Sequence, residues 1–211
     1  MKYKAIIFDL DGVICHTDKY HYLAWKQVAD RLGIYFDEEI NNRLRGVSRM
    51  ESLEIVLERC EKILSHEEKL SIADEKNEIY KNLLKDMSPA DVSKEVMDTL
   101  TSLKNSGILL GIGSSSKNAK LILSKIGLQE FFDAISDGIG LAHSKPNPEV
   151  FVKCAQMLNI DPTDCLVIED AIVGVQAAKA AKMDSVAVGD AAKQDIATYK
   201  MECFTELIAL V

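Results

Sequence analysis

The sequence Ala5-Ile6-Ile7-Phe8-Asp9-Leu10-Asp11-Gly12 sets a short apolar run directly against two carboxylates one residue apart. The run is β-prone and bounded by polar residues and a glycine, which reads as a buried parallel strand. On an extended chain, side chains two residues apart point the same way, so Asp9 and Asp11 share one crevice at the strand's carboxyl end. Two carboxylates held together repel and lose solvation, so the pair predicts a cation, a shared proton, or both.

Outward from this strand the pattern changes twice. From about Lys19 to Asp86 only helical spacing is found: Tyr22, Trp25, Val28, Ala29 and Leu32 recur at three- and four-residue steps before Gly33. Further helices are expected at about 38–45, 49–64 and 67–86, with Ser48 and Ser65 as N-caps. From Ala90 onward helix and strand alternate, with strands at Ile108–Ile112, Ala134-Ile135, Cys165–Ile168 and Ser185–Val188. The expected fold is therefore α/β: a doubly wound, Rossmann-like parallel sheet of five strands with an inserted helical cap. The expected division is 1–14 with 90–211 as the core domain and 15–89 as the cap, with linkers near Ile14–Thr17 and Met87–Asp91. Ligands of such sheets bind beyond the carboxyl ends of the strands, where the strand order reverses, so an insertion after strand one sits over the site as a lid.

Composition narrows the partners. A chain of 211 residues, 47% hydrophobic and 27% charged, suits one or two globular domains. Its formal charge of −8 argues against a general nucleic-acid binder, which needs clustered Lys and Arg. The five cysteines have no paired metal-ligand spacing and suit a reducing compartment. With no signal-peptide pattern and no stretch near the ~20 apolar residues of a membrane span, a cytoplasmic protein with no membrane partner is expected.

Four strand ends deliver polar residues to one edge: Asp9 and Asp11, then Ser114, Lys145, and Glu169-Asp170. Each has a plainer reading: acidic residues at strand ends are often helix caps, most lysines are solvated, and Gly113-Ser114-Ser115-Ser116 is good N-cap material. Their order and convergence make coincidence a poor explanation.

This ordered set resembles the haloacid dehalogenase superfamily of phosphotransferases. Its first motif matches Asp9-Leu10-Asp11-Gly12-Val13, its second Ser114, its third Lys145 in Ser144-Lys145-Pro146, and its fourth Ile168-Glu169-Asp170. The resemblance implies Asp9 as nucleophile, forming an aspartyl-phosphate, and Asp11 as general acid and base. It implies Mg²⁺ on Asp9, the Asp11 carbonyl and Asp170, with Glu169 as ligand or outer partner. Ser114 and Lys145 bind the transferring phosphoryl oxygens.

Within the superfamily the cap is similar to that of the β-phosphoglucomutase family. The matching residues are Thr17, His21 and Trp25, then Arg45-Gly46-Val47-Ser48-Arg49 with Ser52, Lys76-Asn77, Ser88-Pro89-Ala90-Asp91-Val92, and Ser116-Lys117-Asn118. By position, Arg49 with Lys117 and Asn118 grips a distal phosphate, Gly46, Val47 and Ser48 line the sugar, and His21 contacts Asp11. Thr17, Trp25, Ser52, Lys76 and Ser115 complete the expected substrate site. His21 with Trp25 also fits simple helix packing, and Lys76 an ordinary exposed helix residue. Arg49 opens a helix, where a cation opposes the macrodipole, which an anionic ligand would explain.

The implied activity is interconversion of β-glucose 1-phosphate and glucose 6-phosphate through β-glucose 1,6-bisphosphate, by a monomer acting on sugar phosphates. The alternative is a sugar-phosphate phosphatase of the same superfamily. A phosphorylated signalling receiver would lack Asp11 and the inserted cap.

Overall fold

The computed structural model describes residues 2–210. Strand β1 (Ala5–Phe8) is completely buried at the centre of a parallel sheet, between β2 (Leu109–Gly113) and β4 (Cys165–Glu169). With β3 (Ala134–Ser136), β5 (Asp184–Ala187) and β6 (Tyr199–Lys200), the order is β3-β2-β1-β4-β5-β6. The sheet thus has six strands where the sequence predicted five. The extra one pairs Tyr199 and Lys200 with Val186 and Ala187, and a two-residue strand is too short to carry an alternation signal.

Period-two geometry sorts β1 between two cores. Ala5 and Ile7 pack with Phe151 and Cys154 of α7 (Glu149–Leu158) and Ala177 and Ala178 of α8 (Ile172–Ala180). Ile6 and Phe8 join the other face, with Leu100 and Leu103 of α5 (Lys94–Asn105) and Ile122 and Leu123 of α6 (Ala119–Lys125). Burial on both faces is why the strand reads as an unbroken apolar run.

Between β1 and α5 the chain forms a block of four helices: α1 (Asp18–Leu32), α2 (Glu38–Asn42), α3 (Arg49–Val56) and α4 (His66–Leu83). Ser48 and Ser65 cap α3 and α4 through reciprocal capping boxes with Glu51 and Glu68. Gly33, at φ 70°, ends α1 in the left-handed conformation. The helix expected over 49–64 stops at Val56 and passes through one 3₁₀ turn. Its apolar spacing misleads because Ile63 is 96% exposed and contributes nothing to packing. Trp25, Val28, Phe36, Leu53, Val56 and Ile72 form an apolar cluster of the block's own. Tyr20, Ala24, Tyr80 and Leu84 instead join the sheet's cluster, which roots the block on the sheet.

Among the described residues no helix is long and apolar enough to cross a membrane. All five cysteines are free thiols. Burial pushes Cys154 up to about 12 and Cys165 up to about 11, so neither is a thiolate near neutrality.

Candidate active site

The register of the sheet places the chemistry. Phe8 stands level with Ile112 and Ile168, so the next residues, Asp9, Gly113-Ser114 and Glu169-Asp170, leave the sheet at one edge. The Asp9 amide still donates to the Ile168 carbonyl at 2.9 Å, and the Ser114 amide to Ser136 at 3.0 Å, so both turns are held by the ladder. A cavity of about 900 Å³ opens beyond this edge, beneath the helical block. Asp9, Asp11, Ser114, Ser115, Lys117, Asn118, Lys145, Glu169 and Asp170 line it from the sheet side. Thr17, His21, Trp25, Gly46, Val47, Ser48, Arg49, Ser52 and Lys76 line it from the helical side.

Lys145 is 1% exposed. Its Nζ donates to Asp9 Oδ1 at 2.5 Å and to Glu169 Oε1. Burial opposes its charge, but the two carboxylates outweigh burial and hold the ammonium above the ordinary lysine range. Glu169 Oε2 accepts the Ala171 amide at 2.8 Å, so both Glu169 oxygens have protein donors. Two glycines make room for these carboxylates. A Cβ on Gly12, which has φ +85°, would overlap the Asp170 carboxyl, and one on Gly174 would overlap Glu169. Gly174 was not among the residues read from the sequence, where one glycine inside a helix carries no chemical signal.

Asp11 is fixed by its Oδ1, which accepts the Thr17 amide at 2.7 Å. Burial, aided by Asp18, pushes its carboxyl up to about 7. His21 Nε2 lies 3.9 Å from Asp11 Oδ2, and His21 Nδ1 lies 2.9 Å from Lys76 Nζ. When Lys76 is charged its ammonium can only donate, which makes Nδ1 the acceptor and leaves the imidazole proton on Nε2, facing Asp11. Burial, with Lys76 and Arg49 nearby, lowers the His21 pKa well below the ordinary histidine range.

The residues present fit a divalent cation. Asp9, Asp11, Glu169 and Asp170 crowd one side of the cavity around the buried ammonium of Lys145. Burial and then Glu169, Asp9 and Asp11 push Asp170 up to about 9, the mark of unrelieved negative charge. Among the described residues no three His, Cys, Asp or Glu side chains form a closed metal cluster. Mg²⁺ needs none, since one or two carboxylates suffice when carbonyl, water and phosphate oxygens complete its shell.

The helical side of the cavity carries the cations Lys76 and Arg49. Lys76, which the sequence also allowed as an exposed residue, is 3% exposed, with Nζ over the Tyr80 ring at 4.5 Å and the Trp25 ring at 5.1 Å. Burial, and then Arg49, lowers it to about 7. Arg49 is itself lowered by burial, and its nearest carboxylate, Asp74, is 3.7 Å away and 81% exposed. Among the described residues neither cation is ion-paired to a buried carboxylate.

Contacts not foreseen from the sequence hold the block down over the cavity. Arg45 is bound to Asp190 at 2.9 Å and also to Asp18, Ser144 donates to Glu51, and Asn118 Nδ2 donates to Asn77 Oδ1 at 2.9 Å. Ser115 Oγ donates to the Gly46 carbonyl at 3.3 Å. Gly46, at φ +75°, passes so near α8 that a Cβ there would sit 2.6 Å from Val173. These pairings join residues distant in sequence, so no local pattern announces them.

A family model described as haloacid dehalogenase-like hydrolase matches residues 3–182. The chain is 44% identical to the β-phosphoglucomutase of Bacillus subtilis, over 88% of this chain and 83% of that protein. It is 33% identical to a fructose-1-phosphate phosphatase of Escherichia coli, over 89% of this chain and 97% of that protein. Its structure matches a crystal structure of β-phosphoglucomutase from Clostridium difficile with a TM-score of 0.92 and 39% identity, covering 97% and 93% of the two chains. By this sheet edge with its four polar strand ends, and by these matches along most of its length, the chain belongs to the haloacid dehalogenase-like hydrolase family.

Proposed function

We propose that the protein is a phosphosugar mutase that interconverts β-glucose 1-phosphate and glucose 6-phosphate through an aspartyl-phosphate and β-glucose 1,6-bisphosphate. The carrying observation is the charge of the cavity walls: crowded carboxylates on the sheet side, and on the helical side the half-buried Arg49 and the buried Lys76, neither ion-paired to a buried carboxylate among the described residues. A hydrolase acting on one phosphate needs only the first wall. A sugar with two phosphates needs both. The 44% identity to the Bacillus subtilis mutase supports the same reading.

An oxygen of the Asp9 carboxylate forms the new bond to phosphorus as the sugar oxygen leaves, and Asp11 gives that oxygen its proton. In the second half, Asp11 takes the proton of the acceptor hydroxyl as that oxygen attacks phosphorus and the bond to Asp9 breaks. Glucose 1,6-bisphosphate then returns in the opposite orientation and gives its other phosphate to Asp9. Lys145 uses two of its three donors on Asp9 and Glu169, which leaves the third for a phosphoryl oxygen. Ser114 Oγ accepts the Ser116 amide at 3.1 Å, so its own proton is free for another phosphoryl oxygen. Arg49, Lys117 and Asn118 hold the distal phosphate, Gly46 to Ser48 with Thr17, Trp25, Ser52, Lys76 and Ser115 surround the sugar, and His21 orients Asp11.

Asp9, the Asp11 carbonyl and Asp170 would hold Mg²⁺, which would supply charge neutralisation to the transferring phosphoryl group. Glu169, engaged on both oxygens, serves as the outer partner that positions Lys145. The division of the chain into a core of 1–14 with 90–211 and a cap of 15–89 belongs to this reading, as does closure of the cap to exclude water. So do a monomeric state, supported by a site complete within one chain, and a cytoplasmic location, supported by free thiols.

The test is incubation with Mg²⁺, β-glucose 1-phosphate and a trace of bisphosphate. Glucose 6-phosphate is the expected product, and inorganic phosphate alone would favour the phosphatase reading.

A further inference from the structure

Thr17 and His21 reach Asp11 from the helical block: the Thr17 amide donates to Asp11 Oδ1 at 2.7 Å, and His21 Nε2 lies 3.9 Å from Oδ2. Both lean on Tyr80 of α4. The Tyr80 hydroxyl donates to Thr17 Oγ1 at 3.1 Å across 63 positions of sequence, and its ring stands 4.2 Å from the His21 ring, centre to centre. Tyr80 is buried in an apolar cluster with Tyr20, Ala24 and Leu84. Phenylalanine would fill that space with no polar atom to satisfy, so the hydroxyl calls for a reason. Thr17 supplies a second sign. It is the N-cap residue of α1, where a threonine ordinarily spends its oxygen on an amide of the first turn, yet its side chain makes no cap bond. That oxygen serves Tyr80 instead.

We propose that Tyr80 is a positioning residue for the proton transfers of Asp11, its hydroxyl fixing Thr17 and its ring fixing His21. Tyr80 belongs to α4 and the two residues it fixes to the start of α1, so the aim of Asp11 depends on how α4 is seated against α1. The proposal rests on the reading of Asp11 as general acid and base, and adds to it a residue that acts through Thr17 and His21 rather than on the substrate. A hydroxyl that served stability alone would matter equally for every phosphoryl donor. One that aims Asp11 matters only where the leaving oxygen needs a proton.

Tyr80→Phe removes the hydroxyl and keeps the ring. The experiment measures, with Mg²⁺ present, the single-turnover rate at which Asp9 is phosphorylated by β-glucose 1,6-bisphosphate and by acetyl phosphate. In both reactions an Asp9 oxygen bonds to phosphorus as the bond to the leaving oxygen breaks. The sugar oxygen must take a proton from Asp11, whereas acetate leaves as a stable anion and takes none. Loss of one hydrogen bond's worth of aim should slow the bisphosphate reaction about tenfold. The Kd, read from the fluorescence of Trp25, the chain's single tryptophan and part of the cavity lining, should change by less than about twofold. The acetyl phosphate rate should hold within about twofold, and adding Tyr80→Phe to Asp11→Ala should slow that variant no further. Thr17→Val, which removes the other half of the bond, should reproduce the loss with the bisphosphate, and it stands in should Tyr80→Phe not fold. Equal slowing with both donors, or slowing that persists in Asp11→Ala, overturns the proposal. A slow Asp11→Ala beside an unaffected Tyr80→Phe overturns the proposal alone, whereas an Asp11→Ala as fast as wild type with the bisphosphate overturns the general-acid reading and the proposal with it.

Discussion

Replacing Lys76 with methionine keeps the length of the side chain and removes its charge, so the free protein should become more stable while its grip on a bisphosphate weakens. Lys76 is 3% exposed, and burial, followed by Arg49, lowers its pKa from 10.5 to about 7. Each unit of such a shift corresponds to about 1.4 kcal/mol, so the ceiling on the folded-state penalty at pH 7 is on the order of 5 kcal/mol. The Tyr80 and Trp25 rings beneath Nζ return part of this, and about 2 kcal/mol is the expected net gain in the variant. For a chain of this size that raises Tm by about 4–8 °C.

The sign with pH is set by the direction of the shift. A folded-state pKa below the unfolded one means that stability is fully present above the unfolded value, near 10.5, and is lost as pH falls through about 7. The difference between variant and wild type should therefore be smallest near pH 10, grow toward pH 7, and level off below it. Urea titrations at pH 7 and pH 10, with and without glucose 1,6-bisphosphate, measure both effects. A variant less stable than wild type at pH 7, or a difference independent of pH, would refute the idea that the cap stores unpaired positive charge for its ligand.

Lys145→Ala leaves Asp9 and Glu169 buried without their ammonium and should cost about 3–5 kcal/mol, read as a fall in the denaturation midpoint. Asp11→Ala should lower kcat by about 10²–10⁴; wild-type rates in this variant would remove Asp11 from the proton transfers. Asp190→Ala breaks an Arg45 pair that is half solvated, so stability should change by less than about 1 kcal/mol. The same change frees the cap from the sheet edge and should raise the ratio of inorganic phosphate to glucose 6-phosphate; an unchanged ratio would show that Arg45 does not govern closure.

The parallel direction of the strands, the helical block after the first of them, and the acidic and basic residues at the strand ends were all legible in the linear sequence. They are local: β1 is a run of four residues, Ser48 and Ser65 cap the helices that follow them, and Asp9 and Asp11 lie two residues apart. The sixth strand was not, because Tyr199 and Lys200 are a strand only through Val186 and Ala187 beside them. The helix expected to run to residue 64 ended early, at Val56, and Ile63 beyond it lies in solvent.

By itself the sequence determined which side chains are available for phosphoryl transfer and which edge of the sheet bears them, because strand period and motif spacing are properties of neighbouring residues. Only the tertiary structure decided their electrostatic state. Whether Lys76 is a solvated lysine or a buried cation, and whether Glu169 has an oxygen to spare, depend on chain segments packed from far away. The Asp9-Leu10-Asp11 turn was a local problem of like charge; the segments folded over it brought cations to the helical side of the same cavity and enclosed the space between.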